Sequence, residues 1–306
     1  MIQLITYPKS VAHAKDLLKY SDILVIGEDQ FGVELPANFT RNEQQAIIEL
    51  AHEAHKKVVV AVNGMMHNED IEDFHSYLPF LYDVQIDAIM TGDPGIVQVM
   101  RDAKMEIPMI WDAQTLNTSS GNLNFWGKRG AIGAVLAREL PQDELQILMK
   151  KIEIPVSIQV YGASGIHQSL RNLVFNYLDY LDVEAIQATR EEPLYITPSR
   201  QNDKRYTIYE DQRGTHIFAS DDLNLLPVLD ELVEMNLTHW SLNSLFVEPE
   251  AYTEVVSIFK KAADLLSDRK WSAHQVGTLS QMIETLHPKQ RTLNLGFYEL
   301  SSSDIR

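Results

Sequence analysis

The 306 residues include no cysteine, so the chain can form no disulfide, lend no thiolate to an iron–sulfur cluster and use no Cys nucleophile. A metal site would have to be built from His and carboxylates. No apolar run approaches the roughly 18 residues needed to cross a bilayer. Met1–Pro8 carries no basic stretch ahead of an apolar one. Neither a membrane span nor a signal peptide is therefore expected, and the expected location is the cytoplasm. No G-x-G-x-x-G turn follows a strand pattern to suggest dinucleotide binding, no G-x-S-x-G phrase suggests a serine hydrolase, and no H-E-x-x-H suggests a zinc protease. Positive charge is also scarce. Lys and Arg number 26 against 43 Asp and Glu, a formal net charge of -17, so the chain repels polyanions and is not expected to bind RNA or anionic membranes unaided.

What is present is apolar residues, 45% of the chain, arranged as short runs alternating with longer amphipathic ones. That order marks β/α units with parallel strands. Strands are expected at 2–6, 23–26, 57–62, 88–91, 108–111, 131–136, 156–161 and 239–242, each brief and bounded by polar residues, Gly or Pro. Helices are expected at 42–56, 69–82, 95–104, 142–150 and 223–235, with Thr40, Asn68, Asp93 and Pro141 at their starts. Eight such strands predict a (β/α)8 TIM-type barrel over 1–266, followed by a short C-terminal helical extension over 267–306: a helix over 271–287 and an extended tail from Thr292 to Leu300. Between Ala188 and Ser220 the alternation breaks. Glu191–Arg200 reads as a polar insertion and Tyr206–Phe218 as a hairpin turning at Arg213 and Gly214, placed to cover a barrel mouth.

The segment from Ile158 to Tyr177 resembles the signature of peptidase family U32, the collagenase-like family. There, a strand runs into His-Gly-Ala, a Cys follows about two positions on, and Gly-Arg-Cys precedes a short helix. Here Gly162, Ala163, Arg171 and Tyr177 remain, Tyr161 stands for the His, and Gly165 and Asn172 occupy the Cys positions. Other phrases resemble the family in the same order: Gly27–Phe31, Val60–Asn63, Asp93–Gly95, Gln114–Asn117, Leu136–Leu140 and Ala219–Asn224, the last with Asn224 in place of a Cys. A family phrase ending in Lys-Ile-Glu-Gly-Arg appears instead as Trp240–Leu245, without its charges. The resemblance implies a barrel and a cysteine-free paralogue that carries no cofactor of its own. It further implies a role in tRNA modification, 5-hydroxylation of the wobble uridine, with a cluster-bearing U32 paralogue as partner, tRNA bound through the complex, and prephenate as the metabolite required.

Barrel enzymes gather their site at the C-terminal ends of the strands. Glu28, Asn63, Asp93, Gln114, Asn117, Arg138 and Glu139 fall at or just after such ends. One reading makes these a small anionic-ligand pocket with Arg138 as the bidentate anchor and Asn63, Gln114 and Asn117 as orienting groups. The other makes Arg138 and Glu139 members of structural ion pairs and Asp93 a helix cap. From the resemblance, Gly162, Ala163 and Arg171 join the ligand-binding set. The catalytic residues are left open, with Glu139 and His167 as acid–base candidates. His52 and His55 lie three apart on a solvated helix face with no third ligand, so no metal is assigned to them. Two other functions stay in contest: a collagenase-like peptidase, and a metabolite-binding module without catalysis.

Overall fold

The computed structural model describes residues 1–184, 186–198 and 204–305. Seven parallel strands come first: β1 (Gln3–Thr6), β2 (Ile23–Gly27), β3 (Lys57–Ala61), β4 (Ala88–Thr91), β5 (Met109–Trp111), β6 (Ala131–Val135) and β7 (Val156–Gly162). An inserted antiparallel sheet follows, with β8 (Gly165–Ser169), β9 (Leu194–Ile196), β10 (Tyr206–Asp211) and β11 (Gly214–Phe218). Then come β12 (Asp221–Asn224), β13 (His239–Leu242) and β14 (Thr292–Asn294). Each of β1 to β7 pairs with the next, and β13 pairs in parallel with both β1 and β7. The eight parallel strands thus close on themselves, the barrel expected from the alternating pattern.

The sequence makes both faces of these strands apolar because both are covered. Every residue of β2, β4 and β7 is buried. The period of two divides them between layers. Ile23, Val25, Val59, Ala61, Ala88 and Met90 form one small cluster that also takes in Ile5, Ile110 and Val135, so six strands point into it. Leu24, Ile26, Val58, Val60 and Ile89 join the larger cluster beneath the surrounding helices. Several helix starts are fixed by short side chains that take orphan backbone N–H groups. Thr40 and Glu43 form a reciprocal capping box, and Asp93 accepts from the Gly95 N–H at 2.6 Å ahead of Pro94. Caps of this kind each contribute about 1 kcal/mol.

Three expectations need correction. Asn68 is the first residue of its helix and His67 the cap position. Residues 223–235 are not one helix: Leu223 and Asn224 end β12, a short turn of helix covers Leu226–Val228, and the helix proper is Leu229–Glu234. The insertion begins well before Ala188, since β8 and the helix Leu173–Tyr180 already belong to it. The end of the expected polar stretch, Ser199 and Arg200, lies outside the described residues.

Two arginines fasten the inserted sheet to the barrel. Arg190 bridges Asp29, after β2, at 2.7 Å and Asp211 at 3.2 Å. Arg213, at the hairpin turn, holds Asp70 at 2.8 Å and donates to the Met65 carbonyl. The C-terminal segment is tied down as firmly. Helix Ala273–Leu286 packs on the preceding Pro249–Ser267, β14 pairs with β12, and the Tyr161 hydroxyl meets His287 Nδ1 at 2.8 Å. Arg291 donates to buried Asp222 at 2.6 and 2.9 Å. No helix among the described residues is long and apolar enough to cross a membrane.

Candidate functional site

A cavity of about 550 Å³ opens at the C-terminal end of the barrel. Every barrel strand contributes to its wall: Tyr7 after β1, Glu34 after β2, Asn63 after β3, Met90 on β4, Asp112 and Gln114 after β5, Arg138 and Glu139 after β6, Gln159 on β7, and Ser241 and Asn243 at the end of β13. The roof comes from elsewhere. Gly165, Ile166, His167 and Gln168 of β8 and Asn294, Gly296, Phe297 and Leu300 of the C-terminal segment enclose the remaining side. The insertion therefore does line the mouth, and the tail does too.

Among the described residues, Arg138 is the sole Arg or Lys in this lining, and its guanidinium is already engaged. Nη1 donates to Glu34 Oε1 at 3.1 Å and to the Gly165 carbonyl at 3.4 Å, while Nη2 donates to Glu34 Oε2. Burial works against the charge on Arg138. The Glu34 carboxylate, joined by Asp112 and Tyr7, outweighs it and holds the pKa above the usual value. Glu34 itself sits at φ 58, in the left-handed region that aims it back over the mouth. The fork expected to take a ligand carboxylate engages an internal one, Glu34, in this structure.

Beside this pair, Asp112 is buried, accepts from Asn63 Nδ2 at 2.7 Å and from the Gln114 N–H at 3.2 Å. Burial pushes its carboxyl pKa up, more than those hydrogen bonds and the Arg138 charge pull it down. The same burial raises the Tyr7 phenol to about 12, against a lowering contribution from Ser241. Tyr7 stays protonated at neutral pH and can donate. The mouth therefore sets polar donors and acceptors, with the acidic side chains of Asp112, Glu139 and Asp221 among them, around one cation compensated by Glu34, an arrangement that orients a polar small molecule.

The remaining sequence candidates separate cleanly. Asn63, Gln114, Arg138, Glu139 and His167 line the cavity; Glu28, Asp93, Asn117, Gly162, Ala163 and Arg171 do not. Asn117 is fully buried, and its amide donates to the Trp111 and Val135 carbonyls, stitching β5 to β6. Glu28 is held by Arg41 and Gln44. Gly162 has φ +105, and a Cβ there would overlap the Asn243 carbonyl oxygen. The buried Ala163 carbonyl accepts from Gln159 Nε2 at 3.0 Å. Arg171 is exposed, and its carbonyl accepts from Thr215. His52 is committed to Asp87 at 3.0 Å, and no group of three or more His, Asp or Glu among the described residues is placed to hold a metal. Tyr7, Glu34, Asp112, Ser241 and Asn243 escaped the sequence reading, although Tyr7, Asp112 and Asn243 each directly follow a strand.

The profile of peptidase family U32 matches residues 9–305. The chain belongs to that family. It is 30% identical to tRNA hydroxylation protein P2 of Bacillus subtilis, with 97% of each chain covered. It is 24% identical to tRNA hydroxylation protein P1 of the same organism over 80% of this chain, but spans only 58% of that longer relative. The solved structure of the U32 peptidase Mk0906 shares the fold, with a TM-score of 0.50, 15% identity, and 79% of this chain and 92% of that one covered. The residues standing at the cysteine positions of the U32 signature do not fit a thiolate-ligated cluster. A side chain at Gly165 would run into Glu34, Asn172 is exposed, and Asn224 Oδ1 is spent on the Leu226 N–H at 3.1 Å.

Proposed function

We propose that this protein assists 5-hydroxylation of the tRNA wobble uridine as a subunit with no cluster of its own, in the cytoplasm, beside a longer cluster-bearing U32 paralogue. One observation carries the reading: the likeness to protein P2 over nearly the whole of both chains, in an organism that also holds the longer P1. The charge of -17 supports a division of labour in which the partner makes the phosphate contacts with tRNA. In this reading the mouth holds a carboxylated metabolite, prephenate, through Tyr7, Asn63, Gln114 and whatever share of Arg138 the ligand wins from Glu34. Peptidase chemistry draws no support from the mouth. His167 is exposed, and its ring makes no hydrogen bond to a serine among the described residues.

The test is co-purification of the tagged chain from native cytoplasm with iron analysis and identification of what comes with it. The reading expects the longer paralogue, brown and iron-bearing, in fixed ratio. Recovery of this chain alone and colourless contradicts it.

A further inference from the structure

The inserted module presents an apolar surface that nothing among the described residues covers. Ten of the nineteen exposed large apolar side chains among the described residues fall between Ile166 and Ile196. At its centre is the helix Leu173–Tyr180, Leu-Val-Phe-Asn-Tyr-Leu-Asp-Tyr, whose circumference is apolar except at Asn176 and Asp179. A helix of that composition is ordinarily found inside a core. Here no residue of it is buried; Tyr177 is 62% exposed and Tyr180 84%.

The helix is nevertheless anchored. Glu210 Oε1 and Oε2 accept from the Val174 and Phe175 N–H groups at 2.8 and 3.3 Å, and Thr215 Oγ1 accepts from Leu173 N–H at 2.8 Å. Those contacts satisfy three of the orphan donors at its first turn and place a carboxylate at the positive end of its dipole. Beyond it, Leu181, Val183 and Ile186 continue the exposed apolar run. Among the described residues, strand β9 forms an edge of the inserted sheet, pairing only with β10, and leaves Tyr195 and Ile196 exposed. An anchored apolar helix and an open strand edge on the same inserted module are the anatomy of a pre-organised docking surface, rich in the tyrosines that dominate binding energy.

Charge selects the occupant. Asp179, Asp182, Glu184, Glu191 and Glu192 are exposed around this surface and outnumber its exposed cations among the described residues, Arg171 and, just before the Tyr206 that pairs with Ile196, Lys204 and Arg205. A second copy of the chain would dock isologously, setting the acidic rim against itself and one net charge of -17 against another. Nucleic acid and anionic lipid are repelled for the same reason. We infer that the face made by helix Leu173–Tyr180, by Leu181, Val183 and Ile186, and by the edge of β9 docks a different protein with an apolar patch rimmed by Lys and Arg. Resting on the function proposed above, the inference takes that protein to be the longer U32 paralogue.

The test uses the full chain and the purified, cluster-loaded paralogue from its own organism, titrated at physiological ionic strength. Tyr177→Asp combined with Tyr180→Asp should weaken binding at least about 30-fold, as loss of central tyrosines does. Both side chains are solvent-exposed, so an unchanged melting temperature will show that the fold survives. Asp182→Lys with Glu184→Lys should slow association and weaken its salt dependence. Tyr82→Asp, at an exposed apolar site far along the sequence, should bind as wild type. If the wild-type chain binds and the Tyr177/Tyr180 variant binds equally well, the surface is wrong while the proposed function stands. Failure of the wild-type chain to bind overturns both. Self-association abolished by the same tyrosine changes overturns the heterologous occupant in favour of a second copy.

Discussion

Arg138 and Glu34, 104 positions apart in sequence, form a two-point ion pair across the barrel mouth, with Nη1 3.1 Å from Oε1. Their side chains are 29% and 13% exposed. The pair is sheltered enough to matter and wet enough that its strength stays well below that of a dry interior pair. It governs both what the cavity can bind and what it costs to alter.

Removing one member of the pair should therefore cost more than removing both. Arg138→Ala strands the Glu34 carboxylate and should lower unfolding free energy by about 2 kcal/mol. The Arg138→Ala/Glu34→Ala double variant should recover a coupling energy of about 1 kcal/mol. Urea denaturation of the four proteins of the cycle measures this. Strict additivity would show that the pair contributes nothing.

Gly165 and Gly162 should respond to alanine for different reasons. A Cβ at Gly165 meets the far end of the Glu34 side chain, which can swing away at the expense of Arg138. Gly165→Ala should cost about 1–2 kcal/mol, and that cost should largely vanish in a Glu34→Ala background. A Cβ at Gly162 meets the Asn243 backbone, and φ +105 disfavours any side chain. Gly162→Ala should cost more, above about 2 kcal/mol, with no relief from Glu34→Ala. Melting curves of the two alanine variants, each with and without Glu34→Ala, decide the matter.

His13 should make the protein acid-sensitive. Burial lowers its pKa to about 4, helped by Lys9, and its Nδ1 accepts from the Lys9 N–H at 3.1 Å. The unfolded chain takes up the proton first, near pH 6.5, so stability is complete above that pH. It is lost progressively as pH falls toward about 4, by about 3 kcal/mol in all. His13→Asn keeps an acceptor for Lys9, gives up the edge-on contact with Tyr252, and should flatten this part of the pH profile. A variant as acid-sensitive as wild type would refute the assignment.

Asp112 should act in the opposite sense. Its folded-state pKa is raised by burial, so the folded protein holds this proton more tightly than the unfolded chain. Its contribution to stability falls as pH rises from the unfolded carboxyl value, roughly 4, through the folded one, and stays low above it. Subtracting the Asp112→Asn profile from that of wild type should expose this decline. A flat difference would mean the carboxyl is ionised as readily as in the unfolded chain.

The eight barrel strands were legible because each is a short apolar run covered on both sides, and such runs have no other stable use in a β/α pattern. Strand β8 was not. Gly-Ile-His-Gln-Ser has no apolar run, and its pairing is set by β11, some 50 residues later. Residues 223–235 misled because Leu223, Leu226, Leu229 and Leu232 recur at helical spacing while β7 and β14 capture the first of them as strand. At the mouth, the strand-end rule found Asn63, Gln114 and Arg138, and applied to every strand it reaches Tyr7, Asp112 and Asn243. Glu34 has no such signal. It lies in a loop, reaches Arg138 through a left-handed backbone, and only the closed barrel brings the two together.

The most direct test is mass spectrometry of nucleosides from the tRNA of cells lacking this chain, with and without the gene restored. The account predicts that wobble 5-hydroxyuridine and its derivatives fall sharply on deletion, return with the wild-type chain, and fail to return with the Tyr177→Asp/Tyr180→Asp variant. Unchanged 5-hydroxyuridine in the deletion, with the longer paralogue present and no other member of the family supplying the modification, would contradict it.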